Sequence, residues 1–563
     1  MDTHLLLSTV NQHLGRIYTG SKLNESIKIF DDFFKTYKTP VHRNTSLSEK
    51  NAYLITYGDA FFNDDKAGLQ VLKDVVDKQL KGIITDIHLL PMFPFTSDDG
   101  FAVSDYLKIN PILGDWEDID DLSHEIRLMF DFVANHSSKS SEWFQKFLEQ
   151  ASEFENAYIR ESANFDASKV TRPRTSPLFH HYKNDEGKDY SVWTTFSEDQ
   201  VDNNVGDPKT LLRLTEVLLT YIERGASSIR LDAIGFLWKE SGTACMHLRQ
   251  THQIVKMWRS ILNEVAPGTQ IITETNVPEQ ENLSYFGNGS DEANQVYQFP
   301  LPPLVLFSLT VNNSKVLSNW AKHVKPISST GTYFNFLASH DGIGMRPVED
   351  ILSRNYWDLL ARKVEKNGGR ISYKTNQDGS RSIYELNINY SDALRNDGEN
   401  DQVAAGKMVA AHHILLSFLG VPAIYYHSLF GSQNDVAGMR KSGNSRQINR
   451  EKLDENKLFY ELKHNPYRRT IFEGIKRLLK IRQHVKAFNP YGVQNVLDIS
   501  NDIFSLQRTD PVSGDICLTY TNLTPYEKDL NVMNGIELIS DQNIRHNRLH
   551  LGPYGIAWIK PKK

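Results

Sequence analysis

An arginine and an aspartate lie two residues apart inside an apolar segment of the chain. The segment SIRLDAIGF (228–236) has the hydrophobic residues of a buried strand, yet it contains Arg230 and Asp232. In a strand this spacing places both side chains on the same face. Buried charges are tolerated when they are paired, so a structural ion pair is one interpretation. A reactive carboxylate beside a guanidinium that tunes it is the other.

Three further apolar segments carry polar residues of the types that take part in catalysis. DFVANH ends in Asn135 and His136, ITETN contains Glu274, and FLASHDG contains His340 and Asp341. If the segments are parallel strands of one barrel, these side chains converge on its carboxyl rim. A structural ion pair in the first segment would not require any of them.

Three carboxylates, two histidines and an arginine on one rim suit glycosyl transfer with retention. That mechanism needs one carboxylate as nucleophile and a second carboxyl group as general acid and then base. The nucleophile must stay ionised, and a close guanidinium such as Arg230 is expected to lower its pKa. The acid must keep its proton near neutral pH, which needs less charged surroundings. Neutral histidines can donate hydrogen bonds to sugar hydroxyls.

The elements that would position these residues alternate between short apolar segments and longer helical patterns, such as 209–224 and 246–265. Alternation of this kind predicts a parallel sheet, and eight strand candidates favour a closed (β/α)₈ TIM barrel. The predicted strands lie within 52–58, 82–90, 126–136, 227–236, 269–276, 296–301, 332–342 and 421–431.

Two polar segments interrupt the pattern, and the helical signal fades near residue 492. Long insertions in a barrel tend to be functional loops over its mouth. The tail contains short alternating segments, which predict a small C-terminal β-sheet domain. The predicted units are the first part of the barrel (1–137), a B insertion (138–206), more barrel (207–344), a B′ insertion (345–402), the barrel end (403–491) and the β-domain (492–563).

Composition narrows the class of protein. The net charge of −6 and the pI near 6.4 argue against a nucleic-acid partner. The two cysteines predict neither a disulfide framework nor a cysteine-rich metal site. No apolar run is long enough to span a membrane, and the start MDTHLLLSTVNQHLG carries no basic leader. We expect a cytoplasmic protein without a membrane partner; monomer and homodimer both stay open.

The four segments DFVANH, IRLDAIGF, ITETN and FLASHDG resemble, in order and spacing, the four signature regions of glycoside hydrolase family 13, the α-amylase family. The resemblance implies that Asp232 is the nucleophile and Glu274 the general acid and base. It also implies that Asp341 stabilises the transition state and that Arg230 positions Asp232. The family's fold, a barrel with insertions and a C-terminal sheet, agrees with the elements predicted above.

Within this family, TSDDGFAVSDYLKINPILGDWEDI, TTFSEDQVDNN and GNSRQINR resemble segments of the sucrose phosphorylase branch. TRPRTSPLF resembles a segment whose second arginine, here Arg174, faces the acceptor or phosphate. The residues that the resemblance assigns to the sugar pocket are Asp98, Phe101, His136, Phe196, Gln200, His340 and Arg446.

The reaction that this resemblance implies is reversible phosphorolysis with retention, through a covalent β-glucosyl-enzyme. The favoured substrate is sucrose, which would give α-glucose 1-phosphate and fructose. Alternatives in the same branch act on glucosylglycerate, sucrose 6′-phosphate or glucosylglycerol. Phe236 stands where sucrose-specific members carry a tyrosine, and Arg346 could serve an anionic acceptor. Phosphate would be a substrate, and no cofactor is expected.

Three alternatives remain, and the four ordered motifs argue against one of them, a barrel whose ion pairs are wholly structural. A transglucosidase or hydrolase of the family would share the three carboxylates and differ only in the second acceptor. A non-catalytic sugar-binding relative would lack a carboxylate or carry a membrane anchor, and this sequence shows neither feature. Many α-amylases use an asparagine at the position of Asn135 as a calcium ligand, but the phosphorylase branch generally lacks that ion, so we expect no metal.

Overall fold

The structure, a computed structural model, describes residues 3–38, 46–376 and 379–562. Eight parallel strands close a barrel in which each strand pairs with the next along the chain, and the last pairs with the first. The predicted barrel is therefore confirmed. Its strands are β1 Tyr53–Thr56, β2 Asp86–Leu89, β3 Arg127–Phe132, β4 Ala226–Leu231, β5 Gln270–Thr273, β6 Gln295–Tyr297, β7 Thr332–Asn335 and β8 Val421–Tyr425.

The strands are buried along nearly their whole length because side chains fill the barrel on one face and helices cover the other. Helices pack outside and in the insertions. Their bounds are Thr3–Ile17, Gly20–Thr36, Gly68–Val75, Trp116–Glu125, Glu142–Leu148, Pro208–Glu223, Arg249–Val265, Glu279–Leu283, Leu301–Val311, Lys315–Ala321, Arg354–Lys366, Tyr390–Leu394, Asp401–Ser417, Tyr426–Leu429, Val436–Ser442, Glu455–His464 and Pro466–Arg482.

The helix before β4 shows how local sequence sets these bounds. Asp207 caps its start by accepting a hydrogen bond from the Thr210 amide at 3.0 Å, and Pro208 occupies the first turn. Leu211, Leu214 and Leu218 recur at helical spacing and are fully buried. The helix therefore holds β4, the strand that carries Arg230, firmly against its neighbours.

The chain between β3 and β4 folds over the barrel mouth. It contains the antiparallel pair His136–Ser138 with Gln200–Asp202 and the hairpin Phe179–Lys183 with Asp189–Trp193. Aromatic side chains form a separate hydrophobic core there. This arrangement brings the segment that follows His136 back to the rim at Gln200.

The chain between β7 and β8 supplies the opposite wall of the mouth. Its hairpin, Arg370–Thr375 with Arg381–Asn387, pairs with the short strand Ile343–Gly344 just after β7. The tail forms a six-stranded antiparallel sheet, as predicted, and a separate two-stranded pair. The strands of the tail are Val493–Val496, Ile503–Thr509, Ile516–Asn522, Lys528–Asn531, Gly535–Glu537, Gln542–Ile544, Arg548–Leu551 and Ile556–Pro561.

Candidate active site

A cavity of about 720 Å³ opens at the carboxyl rim of the barrel. The predicted residues that line it come from the barrel and both insertions: Asp98, Phe101, His136, Arg174, Phe196, Gln200, Asp232, Glu274, His340, Asp341 and Arg446. Arg230 lies just below, with only 2% of its side chain exposed, and lines an adjoining inner cavity. The structure thus brings together every residue that the sequence singled out for the site.

Asp232 and Glu274 are the first residues after β4 and β5, respectively. The apolar residues of the segment 228–236 predicted one continuous strand, and this prediction is wrong. The strand ends at Leu231, and the backbone turns at Ala233, whose φ is +45°. Ile234–Phe236 then forms a short 3₁₀ helix whose side chains pack inward, which explains why the apolar pattern continues. The turn directs the Ala233 amide at Glu274, and it donates a hydrogen bond to Oε2 at 3.0 Å.

The Arg230 guanidinium binds three carboxylates. Its Nη1 lies 2.6 Å from Asp131 Oδ1 and 2.8 Å from Asp232 Oδ1, and its Nη2 lies 3.6 Å from Glu274 Oε2. Its Nε donates a hydrogen bond to the Tyr297 hydroxyl at 3.1 Å. The pair of the opening segment is thus part of a network that faces a cavity, not an isolated ion pair.

Sequence reasoning missed Asp131, although the signal was the same as for Arg230. It is a charge inside the apolar strand RLMFDF, and the parallel register places it directly beside Arg230 on the next strand. Its second oxygen lies 2.9 Å from His88 Nε2, so both carboxylate oxygens have partners. Asp131 therefore fixes the guanidinium from below.

Burial dominates the protonation of the two predicted catalytic carboxyls. It raises the pKa of Asp232 well above its usual range and also raises the pKa of Glu274, while Arg230 opposes both changes. The expected lowering by Arg230 is present at Asp232 but is outweighed by desolvation. Arg230 lies nearer to Asp232 than to Glu274, so it opposes the rise at Asp232 from the shorter distance. A retaining mechanism needs the charge on Asp232 and the proton on Glu274.

The pKa of Asp341 shifts in the opposite direction to those of Asp232 and Glu274. Burial raises its pKa, but Arg446 and the other basic neighbours lower it by more, so the pKa lies below its usual range. Arg446 Nη1 is 2.6 Å from Asp341 Oδ1, and the same guanidinium donates two hydrogen bonds to Glu385 at 2.6 and 3.2 Å. Glu385 was not predicted, because the charged B′ segment has no pattern that singles it out.

Aromatic rings and neutral imidazoles form the inner wall. The ring of His340 stacks on Phe101 with 4.8 Å between centroids. Burial lowers the pKa of His340 to about 3 and also lowers that of His136, so both imidazoles are neutral near pH 7. Gln200 Nε2 donates to Asp98 Oδ2 at 3.2 Å and lies 3.3 Å from His136 Nε2. Such polar groups against rings suit a sugar.

The outer wall is made by the two insertions. Phe196 packs edge-on against Phe236 at 5.4 Å, which places Phe236 in the cavity lining. The Arg174 guanidinium lies over the rings of Phe196 and Tyr384, at 5.8 and 5.5 Å. Asn276 and Tyr384 also line the cavity, and sequence reasoning named neither.

The residues around Asn135 do not fit a calcium site. The Lys239 ammonium lies 2.8 Å from Asn135 Oδ1 and 2.7 Å from Asp202 Oδ2, so a side-chain cation already holds both oxygens. Asn135 in turn lies beside the ring of His136, with 3.3 Å between Nδ2 and Nδ1. Across the described ranges, no three His, Cys, Asp or Glu side chains are grouped to hold a metal ion.

Fold and site together define a (β/α)₈ barrel of the α-amylase type with buried carboxyl groups at its carboxyl rim. The family model for the alpha amylase catalytic domain matches residues 56–346. The chain belongs to glycoside hydrolase family 13, the α-amylase family, in its sucrose phosphorylase-type branch. It is therefore an enzyme of the glycoside phosphorylase type.

Relatives with assigned activities differ in how similar they are. The chain is 41% identical, over 98% of its length and 99% of the relative, to a glucosylglycerate phosphorylase of Escherichia coli K12. It is 28% identical, over 78% of its length and 89% of the relative, to a sucrose phosphorylase of Agrobacterium vitis. A solved sucrose 6F-phosphate phosphorylase from Thermoanaerobacter thermosaccharolyticum superposes with a TM-score of 0.75 at 23% identity, covering 89% of this chain and 98% of that one. That likeness shows the fold alone.

No described helix is both long and apolar enough to cross a bilayer.

Proposed function

We propose that this enzyme is a glucosylglycerate phosphorylase, which cleaves the glucoside with phosphate to give α-glucose 1-phosphate and glycerate. The observation that carries the proposal is the contrast among relatives. Three glucosylglycerate phosphorylases are 40–41% identical over at least 92% of the chain, whereas sucrose phosphorylases are 26–28% identical over 77–84%. This contrast favours the alternative over sucrose, the substrate that the sequence patterns favoured.

The charges in the cavity support an anionic acceptor. Arg230 and Arg446 are already paired with carboxylates. Arg174 and Arg346 also line the cavity, and neither has an ion-pair partner among the described residues. Phosphate and glycerate are both anions that a guanidinium binds well, whereas fructose has no charge. Two unpaired guanidiniums therefore suit this pair of substrates better than they suit sucrose.

The first half-reaction cleaves the glucoside. The Asp232 carboxylate attacks the anomeric carbon as the bond from that carbon to the glycerate oxygen breaks. Glu274 gives its proton to that oxygen, and glycerate leaves as the free hydroxy acid. The product is a β-glucosyl ester of Asp232. Asp341 remains ionised and stabilises the positive charge that develops on the sugar ring.

In the second half-reaction a phosphate oxygen attacks the same carbon and the ester bond to Asp232 breaks. The phosphate hydroxyl proton returns to Glu274, which completes the cycle with retention. Phosphate must reach the ester before water does, so the site must hold phosphate and exclude water. Arg174, over Phe196 and Tyr384, is our candidate for the phosphate ligand.

The proposal is tested in the synthetic direction. Purified enzyme is incubated with α-glucose 1-phosphate and, separately, glycerate, fructose, fructose 6-phosphate and glycerol, and phosphate release is compared with a no-acceptor control. We expect release to depend on glycerate. Release with another acceptor alone would replace glycerate by that compound, and equal release without acceptor would mean a hydrolase. We also propose a cytoplasmic enzyme without a resident cofactor, as a monomer or homodimer.

A further inference from the structure

Arg346 lines the cavity and has no ion-pair partner among the residues that the structure describes. It follows the short strand Ile343–Gly344 and starts a 3₁₀ turn, Arg346–Val348. Its Nε is buried and has no hydrogen-bond partner within the described part of the chain. A buried guanidinium nitrogen without a partner is costly, so the arrangement points to a ligand that supplies one.

Lys374 adds positive charge to this corner of the site, whereas burial lowers the pKa of His247 to about 4 and leaves its imidazole neutral near pH 7. Arg346 lowers the pKa of Lys374, after the larger effect of burial, and it contributes in the same direction at His247. Glu281 lies 3.2 Å from His247 Nε2, and Glu349 acts on Lys374. Neither carboxylate is ion-paired with Arg346 in the described ranges, so its guanidinium is available to an anion.

Asn276 lines the same cavity as Arg346 and Glu274. It is the second residue after Glu274. Its Oδ1 is buried without a hydrogen-bond partner among the described residues. Its amide packs on Gly344, where an added Cβ would lie only 2.8 Å from Asn276 Nδ2. The glycine thus leaves the space that the amide fills, and the amide is held where it can bind a further polar group.

The position of these two residues relative to Glu274 decides what they would bind. Glu274 must reach the oxygen that links the sugar to the leaving group, so groups next to it face the leaving group and not the glucose. We propose that Arg346 and Asn276 form the acceptor subsite: Arg346 binds the carboxylate of a small hydroxy acid, and Asn276 binds its second hydroxyl. This inference rests on the proposed function and assigns the acceptor's groups to particular residues.

The proposed subsite gives Arg174 and Arg346, the two cavity arginines without an ion-pair partner among the described residues, different ligands. Arg174 comes from the B insertion and Arg346 from the loop after β7, so they approach the cavity from different elements. Arg346 acts on the hydroxy acid and Arg174 on phosphate. Loss of Arg346 should therefore impair the glycerate half-reaction far more than the phosphate half-reaction.

The experiment measures each half-reaction separately in Arg346→Gln. Glycerate-dependent phosphate release from α-glucose 1-phosphate reports the acceptor, and exchange of labelled phosphate into α-glucose 1-phosphate reports phosphate without any glycerate. We expect kcat/KM for glycerate to fall by about 10- to 100-fold, the usual range for a lost hydrogen bond to a charged group. The rate of phosphate exchange should fall by a factor several times smaller than the fall in kcat/KM for glycerate. Arg346→Lys, which keeps the charge, should retain an intermediate activity with glycerate.

Arg354→Gln is the matched control, because this arginine is exposed at the start of the next helix. Asn276→Ala is tested with glycerate, lactate and 3-hydroxypropionate, since the last two each lack one hydroxyl. We expect kcat/KM of this variant to fall by about 2- to 10-fold with glycerate and by much less with lactate or 3-hydroxypropionate. Thermal unfolding of each variant checks that the fold is kept.

The outcomes separate the two proposals. Wild-type enzyme that exchanges phosphate but does not use glycerate overturns both the proposed function and this subsite. If glycerate activity in Arg346→Gln falls no more than exchange does, the subsite alone is overturned. A loss of both activities would assign Arg346 to phosphate, and a loss of neither would show that it binds neither substrate. If Asn276→Ala shows the same acceptor preference as the wild-type enzyme, Asn276 is not part of the acceptor subsite.

Discussion

Arg230 and Asp131 lie side by side on neighbouring barrel strands, with 2.6 Å between Nη1 and Oδ1. The parallel register sets this relationship, and neither side chain is more than 2% exposed. The same Nη1 lies 2.8 Å from Asp232 Oδ1, and Nη2 lies 3.6 Å from Glu274 Oε2. A buried cation shared by three carboxylates sets how many protons the site binds.

Asp131→Asn should shift the pH dependence of the reaction to lower pH. The negative charge of Asp131 raises the pKa of both Asp232 and Glu274, so its removal lowers both values. The pH profile of kcat/KM measures the shift. An unmoved profile with reduced rate would show that Asp131 acts only by orienting Arg230.

Asp232→Asn should reduce kcat by at least about 10³-fold, because a residue that forms the covalent intermediate cannot be replaced by an amide. The fold should persist, since the amide is isosteric and removes a buried charge. Phosphate release and circular dichroism measure the two effects. Asp64→Asn, at an exposed loop position, is the control. A variant with near wild-type turnover would refute the nucleophile assignment.

Activity of the wild-type enzyme should follow a bell-shaped pH profile. The rate is lost as pH falls and Asp232 binds a proton, and it is lost again as pH rises and Glu274 releases one. Burial raises both pKa values, so both limbs should lie at higher pH than for free carboxyl groups. In Glu274→Gln with α-glucosyl fluoride, whose leaving group needs no proton, the alkaline limb should disappear. A persisting limb would assign it to another group.

Lys239→Met should lower the free energy of unfolding by about 3–5 kcal/mol, because it leaves Asp202 buried and unpaired. Urea denaturation measures the loss, and the double variant with Asp202→Asn should recover part of it. The exposed pair of Lys366 with Asp397 is the control, where Lys366→Met should cost at most about 1 kcal/mol. Equal costs at the two sites would contradict a structural role for Lys239.

The eight barrel strands could be predicted because apolar segments alternate with helical patterns, and strand ends carry the polar residues. The residues of the candidate site came from order and spacing along the chain, which locate Asp232, Glu274 and Asp341 on three different strand ends. These are local patterns, so the sequence by itself determined them.

The partners of those residues depended on tertiary structure. Asp131 meets Arg230 through strand register, and Glu385 reaches Arg446 through a hairpin in the B′ segment whose charges have no diagnostic spacing. Burial is the largest influence on the pKa of Asp232, and the spacing of residues along the sequence does not show how deeply a carboxyl group is buried. Which arginines stay unpaired, and so which anions the site suits, follows only from where the two insertions meet over the barrel, because pairing depends on distances between residues far apart in the chain.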